Sequence, residues 1–403
     1  MVVPVTSEAE TYPFGPVEGL RLHPRHTSLR EQPGLGRIRM PYGGVAWLAT
    51  RYEDVKAVLA DPRFSRAAAA GRDVPRARPP QDSPSMLISM DPPDHTRLRR
   101  LVSKAFTVRR VARMRPDIQG VIDSLLDDMV VTGPPADLAA AVAWPLPVRV
   151  ICDLLGVPET DQDSFRHWTE MTLALGADSR PEEISGARDN LNSYLASLVD
   201  RRRADPTDDL LSALVGARDE GDRLSEEELV RLAVTLLISG HETTANQIGN
   251  AVFVLLSEGH WEQLVSGGPD LVPRAVEELL RYIPLGASVD FARVATEDVE
   301  VGGQHVQAGE AVLVEFYAAN HDQRAFVDPD RLDLLRENNN SHMTFGHGVH
   351  HCLGAQLARL EMQVAVTALI TRLPTLRLAV APEEVRWRAD RLVRGVQALP
   401  VTW

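Results

Sequence analysis

The clearest pattern in the chain begins at Ser225. With Glu228 three residues on, Ser225 has the form of a capping box, and apolar positions then recur at helical spacing as far as Glu258, where Gly259 ends the run. Residues 225–258 at ~1.5 Å each would span about 50 Å, so the pattern predicts a helix that crosses a whole domain. Residues 232–238 and 251–256 are apolar on most faces, which predicts burial at both ends. The middle, Ser239-Gly240-His241-Glu242-Thr243-Thr244-Ala245-Asn246-Gln247, instead puts polar groups at the deepest point. Buried polar atoms cost a few kcal/mol each if unpaired, so such a cluster needs partners or a function.

Around this helix the pattern is mostly helical. Residues 36–40 and 45–50 alternate as strands about a Pro41-Tyr42-Gly43-Gly44 turn, and 52–60 then read as a helix. Residues 67–90, rich in Pro, Ala and Arg, show no clean period and predict a long loop of the kind often kept for binding. From 96 to 225 the spacing is helical with short breaks, as in 109–131, 140–155 and 182–203. Short strands follow from 289 onward, including 299–301 and 311–315, and a last long helix runs over 353–373 until Pro374. No repeat or long linker divides the chain, so one large domain over 1–403, mainly α with a small β region, is expected.

Composition narrows the function classes. Hydrophobic residues at 44% and charged residues at 25% are ordinary for a folded globular chain and exclude a disordered or collagenous one. The net charge of −13 argues against nucleic acid or anionic membrane as a partner unless a basic patch is strongly localised. Two cysteines far apart, Cys152 and Cys352, suit a reducing compartment, and no stretch approaches the ~18 apolar residues a membrane span requires. A cytoplasmic chain is therefore expected.

The candidate chemistry centres on Cys352, in Phe345-Gly346-His347-Gly348-Val349-His350-His351-Cys352-Leu353-Gly354, just ahead of the last long helix. A helix N-terminus stabilises a thiolate through its dipole and free N–H groups, and a Gly-containing loop brings more N–H groups to the sulfur. Cys152 lies in the apolar 148–155 segment and reads as a packed core residue. Three partners compete for a Cys352 thiolate. His347, His350 and His351 suggest zinc, a neighbouring histidine suggests an activated nucleophile, and the third candidate is haem iron.

Phe345, Gly348, Cys352 and Gly354 match the F-x-x-G-x-x-x-C-x-G loop, and on them the chain resembles the cytochrome P-450 superfamily of haem-thiolate monooxygenases. The resemblance extends in order along the chain. Ser239-Gly240-His241-Glu242-Thr243-Thr244 is similar to the oxygen-activation motif [A/G]-G-x-[D/E]-T-[T/S], with Ser239 where Ala or Gly is usual. Glu278-Leu279-Leu280-Arg281 is similar to E-x-x-R, and 320–336 to the meander, with His321 where bacterial relatives often carry Arg. Asp91-Pro92-Pro93-Asp94-His95-Thr96-Arg97-Leu98-Arg99-Arg100 resembles the bacterial class, and the likeness is nearest to actinobacterial enzymes that tailor secondary metabolites.

The resemblance implies a cytochrome P-450 fold built round a buried haem b, iron protoporphyrin IX, with Cys352 as the metal ligand. It implies His95, Arg99, Arg293 and His350 as partners of the two haem propionates, whose burial without cations would be costly. Glu242 would relay protons and Thr243 would hold the proton-donating network at bound O2, although a mid-helix Thr often only bonds its own i−4 carbonyl. Glu278 and Arg281 are expected as a buried structural pair. The implied activity is monooxygenation of a mid-sized apolar small molecule, a macrolide, polyketide or other secondary metabolite, by hydroxylation or epoxidation. The implied partners are ferredoxin and ferredoxin reductase, which bring electrons from NAD(P)H to a monomer. Within the same class stands oxidative coupling or desaturation without oxygen insertion, and outside it a haem sensor or carrier without turnover, against which the Glu242-Thr243 pair speaks. Substrate contacts are expected in 67–90, 165–187, 286–291 and 392–393, including Met86, Leu87, Phe165, Val289 and Phe291. Eight basic residues and no acidic one in 96–116 suggest where an acidic ferredoxin would dock.

Overall fold

The computed structural model describes residues 9–15, 19–77, 87–104, 106–172, 181–219, 225–286, 291–388 and 393–403. The chain forms two compact units, each assembled from separate stretches: Met1–Thr96 with Leu280–Cys352, and Arg97–Leu279 with Leu353–Trp403.

The first unit carries most of the β structure. Strands β1 (Glu10–Thr11), β2 (Gly36–Arg39), β3 (Val45–Ala49), β4 (Phe64–Ser65), β6 (Arg293–Ala295) and β9 (Ala311–Val314) form one mixed sheet in the order β1-β2-β3-β9-β6-β4. The expected β2–β3 hairpin is present, with Ile38 opposite Ala46. Its neighbour β9 runs parallel to β3, Leu48 opposite Leu313, and all four of its residues are buried. A continuous apolar run is what a strand covered on both faces requires. Val55 and Val58 of the helix Tyr52–Ala60 pack into the same core as Val312 and Val314, so the helix lies over this sheet. Strands β7 (Val299–Val301) and β8 (Gln304–Val306) make a separate hairpin, and Glu315, expected as strand, caps the short helix Phe316–Asn320 by accepting from the Tyr317 N–H.

The second unit is mainly helical. Its central helix, Glu226–Ser257, begins at Ser225 with both halves of the capping box formed, the Ser225 N–H donating to Glu228 at 2.7 Å and the Glu228 N–H to Ser225 Oγ at 3.1 Å. The helices Pro145–Leu155, Pro181–Ala204 and Ala355–Arg372 pack against it. Where one helix was expected over 109–131, the structure has two, Val108–Arg113 and Arg115–Thr132, parted at Met114. Pro116 is the reason: without an N–H it fits the first turn of a helix and not the interior. A small sheet of β10 (Arg377–Leu378), β11 (Pro400–Thr402) and β5 (Ala136–Asp137) completes this unit. Among the described residues, no helix is long and apolar enough to cross a membrane.

Candidate active site

The cysteine loop is shaped by close approach of backbone to backbone. At Gly348, φ is +70° and a Cβ would fall 2.4 Å from the Leu59 carbonyl oxygen, so only glycine lets the loop pass the end of the Tyr52–Ala60 helix. The Cys352 N–H donates to the Phe345 carbonyl at 2.8 Å, closing the loop, and the Gly346 N–H donates to Met343 at 2.8 Å. Cys352 is exposed and not in a disulfide, and Gly354 caps the helix Ala355–Arg372 two residues on. Cys152 is fully buried in the helix Pro145–Leu155, where burial pushes its thiol well above the usual range. A thiol so placed stays protonated, which leaves Cys352 as the chemically competent one.

In the same unit lies a buried group of cationic and imidazole side chains. The His95 and His350 rings are 4.4 Å apart, and His95 is buried. Arg293, at the start of β6, is 5% exposed and its pKa is pushed down to about 9, first by burial and then by Arg66. Arg66 itself is held down to about 10 by burial, with Asp91 acting in the opposite sense. His350 is pushed down to about 3 by burial, then by His95, Arg293 and Arg66. Among the described residues, no carboxylate makes an ion pair with Arg293, and the carboxylate of Asp91 is taken up by the N–H groups of Arg66 (2.9 Å) and Ala67 (3.3 Å) and by the Ser65 hydroxyl. Among the described residues Asp91 is the one carboxylate acting on Arg66, Arg293 and His350, so two buried guanidiniums carry more positive charge than one acid offsets, and an added anion suits the cluster. Haem, with two carboxylates and an iron that takes a thiolate, has the chemistry this donor set fits.

The second unit holds the proton-handling candidates. On the central helix, Glu242 is buried and Thr243 half-buried. Thr243 Oγ1 donates to the Ser239 carbonyl at 3.0 Å, the local bond open to any mid-helix threonine. Thr244 does the same to Gly240 at 3.3 Å, and Asn246 Nδ2 donates to the Glu242 carbonyl at 2.8 Å. Gly240 lets Ile151 close in: a Cβ there would stand 3.0 Å from Ile151 Cδ1. His241 is buried, its ring Nδ1 3.0 Å from the Leu237 carbonyl, and burial lowers its pKa. Arg99 is half-buried on the helix Asp94–Ser103, one turn beyond His95.

Glu278 and Arg281 are both fully buried, as expected of structural residues. Arg281 donates to the Asn320 and Pro329 carbonyls at 2.8 Å each and to Arg331 at 3.4 Å, so one guanidinium ties down the meander. His321 fills the position of the usual arginine with Nδ1 2.7 Å from Asp330 and Nε2 3.0 Å from the Tyr282 carbonyl. Of the eight basic residues in 96–116, Arg97 pairs with Glu228 and Arg110 with Asp208 at 3.5 Å, while Arg100, Lys104, Arg109, Arg113 and Arg115 are exposed.

The structure thus brings His95, His350 and Arg293 into one neighbourhood and adds Arg66 and Asp91, for which the sequence reading had no role. Asp91 opens a quoted motif, but Arg66 was one of several arginines in an aperiodic stretch. Among the described residues, no group of three or more His, Cys, Asp or Glu side chains is arranged to hold a metal, so the histidines about Cys352 do not form the zinc set that the sequence left open. Leu87 and Phe165 are buried and Phe291 is exposed, while Met86, Val289 and Leu392 lie outside the described residues.

An exposed thiol just ahead of a helix, set in the unit that also buries a cationic cluster, has the donor set of a haem-thiolate protein. Comparison with known proteins gives the same class. A family model of cytochrome P-450 matches residues 270–391. Nocardicin C N-oxygenase of Nocardia uniformis subsp. tsuyamanensis is 54% identical over 98% of this chain and 99% of its own. Mycinamicin IV hydroxylase/epoxidase of Micromonospora griseorubida is 49% identical over 99% and 100%. The crystal structure of a cytochrome P-450 hydroxylase from the leinamycin biosynthetic pathway of Streptomyces atroolivaceus superposes with a TM-score of 0.92 at 50% identity, covering 98% of this chain and 100% of that one. The chain belongs to the cytochrome P-450 family, has its fold, and is a monooxygenase with a haem-thiolate cofactor.

Proposed function

We propose that the whole chain, 1–403, acts as one monooxygenase domain that inserts an oxygen atom from O2 into a mid-sized apolar secondary metabolite of macrolide, polyketide or related antibiotic type, by hydroxylation or epoxidation. The observation that carries this reading is Cys352, exposed in its Gly348-dependent loop two residues before the cap of a long helix. The names of the relatives, which act on nocardicin C and mycinamicin IV, support the substrate class.

In this reading the cofactor is haem b, and Cys352 holds its iron as a thiolate. Once bound, the haem supplies the binding and reductive activation of O2. His95, Arg99, Arg293 and His350 hold its carboxylates, which relieves the buried positive charge described above. Glu242 takes up protons from solvent, and the Thr243 hydroxyl, turned away from the Ser239 carbonyl, delivers them through its hydrogen bonds. Electrons come from NAD(P)H through a ferredoxin reductase and a ferredoxin to a cytoplasmic monomer. Arg100, Lys104 and their exposed basic neighbours steer the acidic ferredoxin.

Purified protein should be red, with a strongly red-shifted reduced-CO Soret band that Cys352→Ser abolishes and Cys152→Ser keeps. Zinc without iron would refute the reading. With isotopically labelled O2, product made at the expense of NAD(P)H should carry one labelled oxygen atom. Unlabelled product would mean coupling or desaturation instead, and no turnover of any candidate that shifts the haem spectrum would favour a carrier.

A further inference from the structure

Arg66 follows directly after β4, which pairs antiparallel with β6, Ser65 opposite Val294. That register sets Arg66 beside the residues that lead into Arg293. Arg66 is 6% exposed and its guanidinium is bonded on two sides: Nη1 donates to the Ala292 carbonyl at 2.8 Å and Nε to the Ile88 carbonyl at 3.0 Å. The Phe291 ring lies 5.2 Å from Cζ. The backbone N–H of Arg66 donates to Asp91 at 2.9 Å, and the Asp91 carbonyl in turn accepts from the His95 N–H at 2.9 Å. One residue therefore joins the chain just ahead of His95 to the chain just ahead of Arg293. The two acceptors of the guanidinium, at Ile88 and Ala292, are main-chain oxygens, while the link to Asp91 runs through its carboxylate.

We propose that Arg66 is a positioning residue of the haem-carboxylate cradle, holding the backbone at Ile88 and Ala292 so that His95 and Arg293 are presented together. The proposal rests on the haem-thiolate reading above. Two properties of a guanidinium are involved, and they separate by substitution. The fork spans two carbonyls, which a lysine ammonium cannot do in the same geometry, while the positive charge is one that lysine keeps.

The test compares Arg66→Lys and Arg66→Met with the unaltered holoenzyme by three measurements: transfer of haem to apomyoglobin, the haem reduction potential, and thermal melting. Both variants should lose haem at least tenfold faster. The potential should hold in Arg66→Lys and fall in Arg66→Met, because removing a nearby positive charge favours the oxidised iron. Should Arg66→Met fail to accumulate, the haem-transfer rate of Arg66→Lys decides alone. Haem transfer at the unaltered rate, with only a lower melting temperature, would make Arg66 an ordinary structural residue and overturn the proposal. Failure of the haem-thiolate reading would show separately, as absence of the red-shifted CO band from the unaltered protein.

Discussion

Thr243 spends its hydroxyl on the Ser239 carbonyl, and a donor engaged there is not free for another acceptor. In the proposed role, proton delivery by Thr243 would require χ1 rotation or release of that bond. In Thr243→Ala, haem content and substrate affinity are expected to hold, while peroxide rises and product per NAD(P)H falls; both are measured in one oxygen-electrode and product assay. An unchanged ratio would move the role to Ser239 or Thr244. Arg281 makes the opposite case, a cation whose duty is packing. Removing it leaves the Asn320 and Pro329 carbonyls without this donor, while the Arg331 carbonyl keeps Arg336 Nη2 at 3.0 Å. The expected loss is ~3–5 kcal/mol, as for breaking a buried charge arrangement, against a total stability of ~5–15 kcal/mol. Arg281→Ala and Glu278→Ala should both yield little haem-loaded protein, and normal loading in either would show the residue to be dispensable.

At the scale of elements, the helix Ala355–Arg372 carries a buried acid. Glu361 is 1% exposed, its Oε2 has no hydrogen-bond donor among the described residues, and burial raises its pKa well above the ordinary carboxylate value. In the unfolded chain the same carboxyl ionises near pH 4.5. Between those two values the unfolded state has released a proton that the folded state keeps, so stability falls as pH rises, by up to ~1.4 kcal/mol per pH unit. Glu361→Gln removes this term. Its stability relative to the natural protein is expected to improve as pH rises above 4.5 in urea melts, and a constant difference would mean that Glu361 is already ionised in the fold. The elements themselves were unequally legible. The capping box and the 3.6-residue period marked the Glu226–Ser257 helix nearly to the residue, because both signals are local. The break at Met114 was visible only through Pro116, and the two-residue strands are too short to show alternation, whereas Val299-Glu300-Val301 alternates over three residues. The pairing of β3 with β9 joins residues 265 positions apart, and nothing local encodes it. Cys352 could be singled out because glycine and polar neighbours are abnormal around a core cysteine. Arg66 could not, since its acceptors are main-chain carbonyls that leave no trace in the sequence.

For the whole molecule, charge is the property that matters to a redox partner. A chain of net charge −13 that concentrates exposed Arg100, Lys104, Arg109, Arg113 and Arg115 in one stretch presents a local field opposite to its overall sign. Reversing Arg100 and Lys104 to Glu is expected to slow ferredoxin-driven turnover several-fold and weaken its salt dependence, with peroxide-driven turnover and the optical spectrum unchanged. Equal loss of both activities would mean damage to the haem site and no docking role.

The three places where the chain passes between its compact units also have a bearing on inheritance. They fall at Thr96–Arg97, Leu279–Leu280 and Cys352–Leu353, each beside a motif residue: His95, Glu278 with Arg281, and Cys352. A recombination event that exchanges 97–279 together with 353–403 keeps the sequence of the Met1–Thr96/Leu280–Cys352 unit whole. His95, Arg293, His350 and Cys352 then travel as one linkage group, while the helix that bears Glu242 and Thr243 travels as another. Of the proposed haem-holding set, Arg99 alone would travel with the second group, on a helix that the first of these crossings divides.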